Sequence, residues 1–154
     1  MKSNILDESK FSEIEDIISK CQVCYVGMSD GENPYVLPFN FGYKDKTIYL
    51  HSGKEGKKIE ILRKNNKVSI AFSTDHLLRF QNEEVACSWG MKYRSVIAFG
   101  EVEFINDIDE KTRCMNIIMD NYTNKNFKYN SPSILNVKIF KIKINKVTGK
   151  VFGY

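Results

Sequence analysis

The stretch His51-Ser52-Gly53-Lys54-Glu55-Gly56-Lys57-Lys58 gathers an imidazole, a hydroxyl and three ammonium groups into eight residues. Ile48 and Leu50 alternate before it, and Ile59 and Leu62 recur at helical spacing after it, so the segment is predicted to lie where a strand runs into a helix. A helix N-terminus carries partial positive charge and unpaired N–H groups, and lysines in its first turn are unfavourable unless an anion sits there. Lys54, Lys57 and Lys58 at that junction therefore point to a phosphate; three lysines extended into water is the plainer reading of the same residues. The Gly53-x-x-Gly56 spacing, with no Ser or Thr after Lys57, is not that of a P-loop, and no GxGxxG follows a strand. His51 titrates near neutral pH in water, which suits a proton donor, although a satisfied structural histidine is the ordinary alternative.

A second segment, Cys87-Ser88-Trp89-Gly90-Met91-Lys92-Tyr93-Arg94-Ser95, holds the single tryptophan of the chain. An indole and a phenol beside a guanidinium could stack on a planar ring and hold an anion. Core packing explains the composition equally well.

Other chemistries find less support. Cys21-Gln22-Val23-Cys24 has the CxxC spacing of a redox pair or half a zinc site, but Cys87 and Cys114 are isolated. The motif also runs from a helix end into a strand, and a structural role is expected. His76 falls in a polar stretch, no paired-histidine zinc motif occurs, and nothing supports a Ser-His-Asp hydrolase. Lys138, Lys141, Lys143, Lys146 and Lys150 make the last strand basic. They read as a solvated sheet face that resists edge pairing, with a nucleic-acid surface on Lys141 and Lys143 as a competing, non-enzymatic reading.

The elements that must position these residues are set by length, composition and period. The 154 residues are 42% hydrophobic and 27% charged, as in one soluble domain spanning 1–154. Such a chain buries roughly two-thirds of its unfolded surface and needs no metal or disulfide to fold. Its net charge of +4 attracts anions but is too small for a dedicated nucleic-acid binder. Met1 to Lys10 is polar and no apolar run is long enough to span a membrane, so a cytoplasmic protein is expected.

Helical spacing of Phe11, Ile14, Ile17, Ile18 and Cys21 predicts a helix over Asp7–Lys20, and Cys114, Ile117, Ile118 and Tyr122 predict another over Asp107–Tyr122. With the short helix ending near Lys64, that makes three. Strands are predicted at Cys24–Met28, Tyr35–Phe41, Thr47–Ser52, Lys67–Ser73, Lys92–Phe104 and Leu135–Lys146. Thr74–Glu84 reads as a loop packed on something through Leu77, Leu78 and Phe80, and 121–133 as a mobile polar stretch. The apolar phase changes between Ile139 and Phe140, the pattern of a β-bulge. Six strands joined mostly by turns argue for a closed or nearly closed barrel over a doubly wound sheet.

The segments Leu37-Pro38-Phe39-Asn40-Phe41-Gly42-Tyr43, Ile48-Tyr49-Leu50-His51-Ser52, Glu55-Gly56-Lys57-Lys58 and Cys87 to Val96, in this order, resemble the pyridoxamine-phosphate-oxidase-like flavoproteins. The likeness is greatest to the nitroimidazole-resistance (Nim) branch, including the late Val147-Thr148-Gly149-Lys150, and spans roughly residues 12 to 150. It implies a mainly β, six-stranded split barrel with peripheral helices. It also implies a homodimer with flavin mononucleotide (FMN) in a groove at the subunit interface. Carried over by position, Pro38, Phe39, Asn40 and Phe41 would line the isoalloxazine edge, and His51 and Ser52 would lie beside the ring and ribityl chain. Lys57, with Lys58 near it, would hold the phosphate. Trp89, Tyr93, Arg94 and Ser95 would close the pocket, partly from the partner subunit.

In that branch the residue at position 51 is the one implied in redox chemistry on the substrate, so the resemblance implies reduction of small nitroaromatic compounds such as 5-nitroimidazoles to the amine. Haem is the alternative cofactor, with His51 as axial ligand. Oxidases that make pyridoxal phosphate carry a further carboxy-terminal segment with Trp and Arg. None lies before Tyr154, so vitamin B6 oxidation is not expected.

Overall fold

In the computed structural model of the chain, residues 2–154 are described and Met1 lies outside them. Along the chain come β1 (Ser3–Leu6), α1 (Phe11–Ser19), β2 (Cys24–Ser29), β3 (Pro34–Phe39), β4 (Gly42–Lys44) and β5 (Thr47–Gly53). There follow α2 (Lys57–Lys64), β6 (Lys67–Arg79), β7 (Gly90–Ile105), α3 (Ile108–Asp120), α4 (Ser131–Leu135) and β8 (Val137–Phe152).

Every ladder is antiparallel, and the strand order is β3-β2-β6-β7-β8-β5-β4, with β1 on the far end of β8. The two ends of this path, β3 and β4, are separated in the chain by Asn40 and Phe41 alone. The sheet must therefore curl until its edges meet, and the seam is bridged by α3 rather than by a ladder. Tyr122, just past α3, accepts the Phe41 N–H at 2.8 Å and donates to the Gln22 carbonyl at 2.7 Å. The Asn121 amide donates to the carbonyls of Cys21 and Phe41. α3 can come this close because position 42 is glycine: a Cβ there would stand 2.6 Å from the Ile117 carbonyl oxygen.

The interior is filled from alternate strand positions. Val26, Ile48, Leu50, Val68, Ile70, Phe72, Val96, Ala98 and Ile142 are buried in one cluster, which α1 plugs with Ile14, Ile17 and Ile18. Burying each of those isoleucines contributes roughly 1.5–3 kcal/mol. A second, smaller cluster of Ile105, Cys114 and Ile139 lies under α3, on the other face of the sheet.

The split barrel of the sequence analysis is present, with eight strands instead of six. β1 escaped notice because it is a short polar edge strand burying only Leu6. β4 lies in what the sequence presents as a turn after a strand ending at Phe41, because three residues are too few to show an alternation. α4 was missed where the polar stretch 121–133 gives way to the predicted strand; Asn130 caps it and Pro132 sits in its first turn. The expected bulge is displaced. Ile139 and Phe140 stand in unbroken register with Ile105 and Phe104, and the register shifts at Asn145. Both residues are buried because the sheet is covered on both faces there: Phe140 faces the barrel, Ile139 faces α3.

The predicted loop Thr74–Glu84 is also corrected. β6 continues to Arg79 and forms with the start of β7 a hairpin arm, in which Leu77, Leu78 and Arg79 pair with Lys92, Met91 and Gly90. Among the described residues no third strand flanks this outer part. Leu77, Leu78, Phe80, Val85, Trp89 and Met91 are all exposed on it, Leu78 by 54%. Among the described residues no helix is long and apolar enough to cross a membrane.

Candidate functional site

β5 carries His51 and Ser52 to its end, and the chain then turns into α2. The N-cap of α2 is Gly56, at φ 124°, a conformation glycine adopts without strain, and no side chain caps the helix. The start of α1 likewise has no side-chain cap, whereas Asp107 caps α3 and Asn130 caps α4 through their side chains. The first N–H groups of α2 are thus left to an outside acceptor, with Lys54, Lys57 and Lys58 around them. The Lys57 ammonium lies 4.7 Å from the centre of the Tyr35 ring on β3, which ties the start of α2 to that strand.

His51 shares a strand face with Thr47 and Tyr49, away from Ile48 and Leu50 in the barrel. It is half-buried opposite Ile139, its ring makes no hydrogen bond among the described residues, and burial pushes its pKa below the usual value. A half-buried imidazole with both nitrogens free can hand over a proton or bind a metal.

Gly42 pairs with Tyr49, so Asn40 and Phe41, two residues back on β4's side, emerge beside the end of β5 that bears His51. Pro38 and Asn40 are exposed there. The rings of Phe39 and Phe41 point inward instead, packing edge-on against Phe140 and Phe72. The Phe41 N–H and carbonyl are already taken by Tyr122 and Asn121, and Phe39 pairs with Cys24 on β2. The β4–β5 register brings Asn40 beside His51, and Lys57 follows at the start of α2, against Tyr35 of β3.

Trp89–Ser95 lies apart from these residues within one protomer. On β8, His51 is opposite Ile139 while Arg94 is opposite Val151 and Tyr93 opposite Phe152. Twelve residues of strand separate the two positions, a contour of roughly 40 Å. Trp89 stacks on Phe80 at 4.3 Å between centroids and donates its indole N–H to the Glu83 carbonyl. Tyr93 packs against Phe152. Arg94 donates to Asp75 at 2.6 Å and lies 4.0 Å above the Tyr154 ring, and Ser95 is half-buried opposite Lys150.

The remaining sequence candidates resolve simply. Cys21 and Cys24 are buried; desolvation raises both thiols, Cys24 to about 12, and Cys21 donates to the Ile17 carbonyl. His76 is exposed and hydrogen-bonded to Ser73. Lys141 and Lys143 stand directly opposite Glu103 and Glu101 on β7, which breaks the basic row into alternating charge. Lys111 went unremarked in the sequence, although it lies three and seven residues before Cys114 and Ile118 on the buried stripe of α3. Asp75 and Tyr154 were missed as well, because nothing local in the sequence signals their meeting at Arg94.

A curled antiparallel sheet with an uncapped, lysine-rich helix start and a free histidine at its open edge defines a split barrel able to hold a phosphate-bearing planar cofactor. Residues 11–151 match the family described as pyridoxamine 5'-phosphate oxidase, and the chain belongs to that family of flavin-binding split barrels. It is similar to the crystal structure of a proposed 5-nitroimidazole antibiotic resistance protein from Bacteroides thetaiotaomicron. The identity is 44%, over 98% of this chain and 89% of that one, with a TM-score of 0.85. The flavocytochrome Anf3 from Azotobacter vinelandii matches at 18% identity over 97% and 70% of the two chains, TM-score 0.82. An FAD and heme binding protein from Mycobacterium smegmatis matches at 14% identity over 100% and 75%, TM-score 0.83. The last two establish likeness of fold. No curated protein matches the chain.

Proposed function

We infer that the protein is an FMN-dependent reductase of small nitroaromatic compounds of the 5-nitroimidazole type. The observation that carries this is the free, half-buried His51 at the edge of the uncapped α2 terminus, in a chain 44% identical to the Bacteroides protein. The residues fit the cofactor. Lys57, Lys58 and the first N–H groups of α2 would hold its phosphate. Pro38 and Asn40, the exposed members of the segment, would border its ring. Flavin bound there would supply the electrons for nitro reduction. His51 would donate protons to the substrate oxygen from its protonated form, which burial confines to lower pH.

The group Trp89, Tyr93, Arg94 and Ser95 belongs to this reading only if a second copy supplies it. The exposed apolar residues of the β6–β7 arm support that: a monomer would leave Leu78 and Phe80 54% and 48% in water. The working unit is therefore a homodimer whose arm reaches the partner's His51 edge.

The test is a visible spectrum of the purified protein with the released cofactor identified by mass, then nitroimidazole turnover. A two-banded flavin spectrum, with turnover abolished and flavin retained in His51→Ala, is the expected result. A Soret band lost in His51→Ala would instead establish the haem reading, which the unpartnered ring of His51 also suits. A colourless protein that takes up neither cofactor would sink both.

A further inference from the structure

At the root of the β6–β7 arm the register breaks: Thr74 is opposite Arg94 and Leu77 opposite Lys92, so Asp75 and His76 together face Tyr93. Asp75 takes φ 55°, a left-handed conformation that a residue other than glycine keeps only where its surroundings hold it. A bulge of this kind re-aims a side chain, and here the Asp75 carboxylate meets Arg94 on the neighbouring strand. Arg94 lies one step beyond Val96 and Ala98, the wholly buried row on its face of β7, and its side chain is part-exposed.

Two contacts fix the guanidinium. Its Nη1 donates to Asp75 Oδ2 at 2.6 Å, and the Tyr154 ring lies against its face at 4.0 Å. Tyr154 is itself held, because its hydroxyl donates to the Asp75 carbonyl at 2.5 Å and the Gly153 N–H donates to the Lys2 carbonyl at 2.9 Å. The Nε and Nη2 edge of Arg94 has no protein partner among the described residues. An arginine pinned on one side and one face, with its other edge open, is a preformed fork for a planar group bearing two oxygens. Lys20 lies 3.3 Å from the same Asp75 oxygen and Lys92 lies 5.2 Å from the Tyr154 ring centre, so three cations surround one carboxylate and the fork keeps its charge. A part-exposed ion pair contributes little to the fold, and the positive φ of Asp75 works against it.

We propose that Asp75 and Tyr154 are positioning residues that hold the Arg94 guanidinium ready for the nitro group of the substrate. A nitro group is planar and carries its negative charge on two oxygens, which the open edge of Arg94 meets with two parallel N–H bonds. Arg94 thereby selects nitroaromatics over ring compounds that lack such a group. It acts from the subunit opposite the one that supplies His51, since the two are twelve residues apart along β8 within one protomer. The proposal rests on the reductase reading and its shared pocket.

The carboxylate analogue of a 5-nitroimidazole, with a planar carboxylate in place of the nitro group, is a probe that cannot be reduced. It is titrated into the full chain as purified and followed by NMR, with no turnover involved. A saturable shift of the Arg94 Nε–H is expected, abolished in Arg94→Gln and not restored by Arg94→Lys, which keeps the charge but loses the fork. Asp75→Asn and Tyr154→Leu should each weaken binding by roughly threefold to tenfold, because the side chain must then be ordered on binding. The sign separates positioning from charge: loss of the Asp75 charge alone would tighten the binding of an anion. No saturable shift, full binding in Arg94→Lys, or unchanged or tighter binding in Asp75→Asn would overturn the proposal. The ring signals of His51 keep it apart from the wider reading. A shift at Arg94 with none at His51 upholds the fork and overturns the shared pocket, and a shift at His51 with none at Arg94 does the reverse.

Discussion

The Arg94 guanidinium meets the Asp75 carboxylate at 2.6 Å and lies 4.0 Å from the centre of the Tyr154 ring, whose hydroxyl donates back to the Asp75 carbonyl. Three distant parts of the sequence thus lock together: the irregular turn of β6, the start of β7 and the carboxy terminus. Asp75 sits at φ 55°, where Asp75 and His76 together oppose Tyr93. This clasp fixes the root of the exposed arm, so Arg94 is held by its own chain before any partner or cofactor arrives.

Breaking the clasp has a signature in acid. Burial opposes ionisation of Asp75, but the hydrogen bonds and charges of Arg94 and Lys20 outweigh it and hold the carboxyl below its usual range. A depressed carboxyl contributes stability above its unfolded pKa, near 4, and loses it as pH falls through the folded value. Asp75→Asn keeps the shape and tolerates the positive φ. It should cost about 1 kcal/mol or less at neutral pH, since the pair is part-exposed, and the difference should vanish in strong acid. Urea melts of both proteins from pH 7 to pH 2.5 measure it.

His51 gives the same kind of experiment, closer to neutrality. Burial lowers its pKa, so the unfolded chain takes up a proton near pH 6.5 while the folded one does not until lower pH. Stability should therefore fall as pH drops below about 6.5 and level off under the folded pKa. His51→Gln should flatten that slope. If His51 is the proton donor, nitro reduction should also decline as pH rises past the lowered pKa, and the decline should be missing in the variant. A titration of the ring by NMR gives the value against which both profiles are read.

Tyr122 holds the barrel seam. Tyr122→Phe removes the acceptor for the Phe41 N–H and the donor to Gln22 while keeping the ring. A loss of about 1–3 kcal/mol is expected from the unpaired amide. Hydrogen exchange should show faster opening at Phe41 than at Phe72, and equal acceleration at both would mean the seam is not a local unit.

The thiols should separate cleanly. Cys87 is exposed, whereas Cys21, Cys24 and Cys114 are buried and their thiols raised by desolvation. One equivalent of iodoacetamide is expected to label the native protein, on Cys87, with the other three reacting only on unfolding. Rapid labelling of Cys21 or Cys24 would revive the redox reading of that pair.

Much of the fold was legible in the chain because it rests on local period. The stripes of α1 and α3, the alternation of β2, β5 and β6, and the glycines before α2 each follow from which face must be buried. His51 and the lysines were legible because strand, turn and helix are contiguous there. Period fails where a strand is covered on both faces. Ile139 and Phe140 imitate a bulge because α3 and the barrel each claim one of them, while the real irregularity at Asn145 is solvent-exposed and leaves no apolar trace.

What the sequence by itself determined is the family, the strand-to-helix junction with its lysines, and the identity of the groups that could do chemistry there. Only the tertiary structure decided how those groups are shared out. Register along β8 sets His51 and Arg94 twelve residues apart, and the chain's closure brings Asp75, Arg94 and Tyr154, from three separate parts of the sequence, into one clasp. Both are long-range outcomes of which strand pairs with which and in what register, and no local pattern of residues encodes a distance between strands that meet only after the sheet has curled.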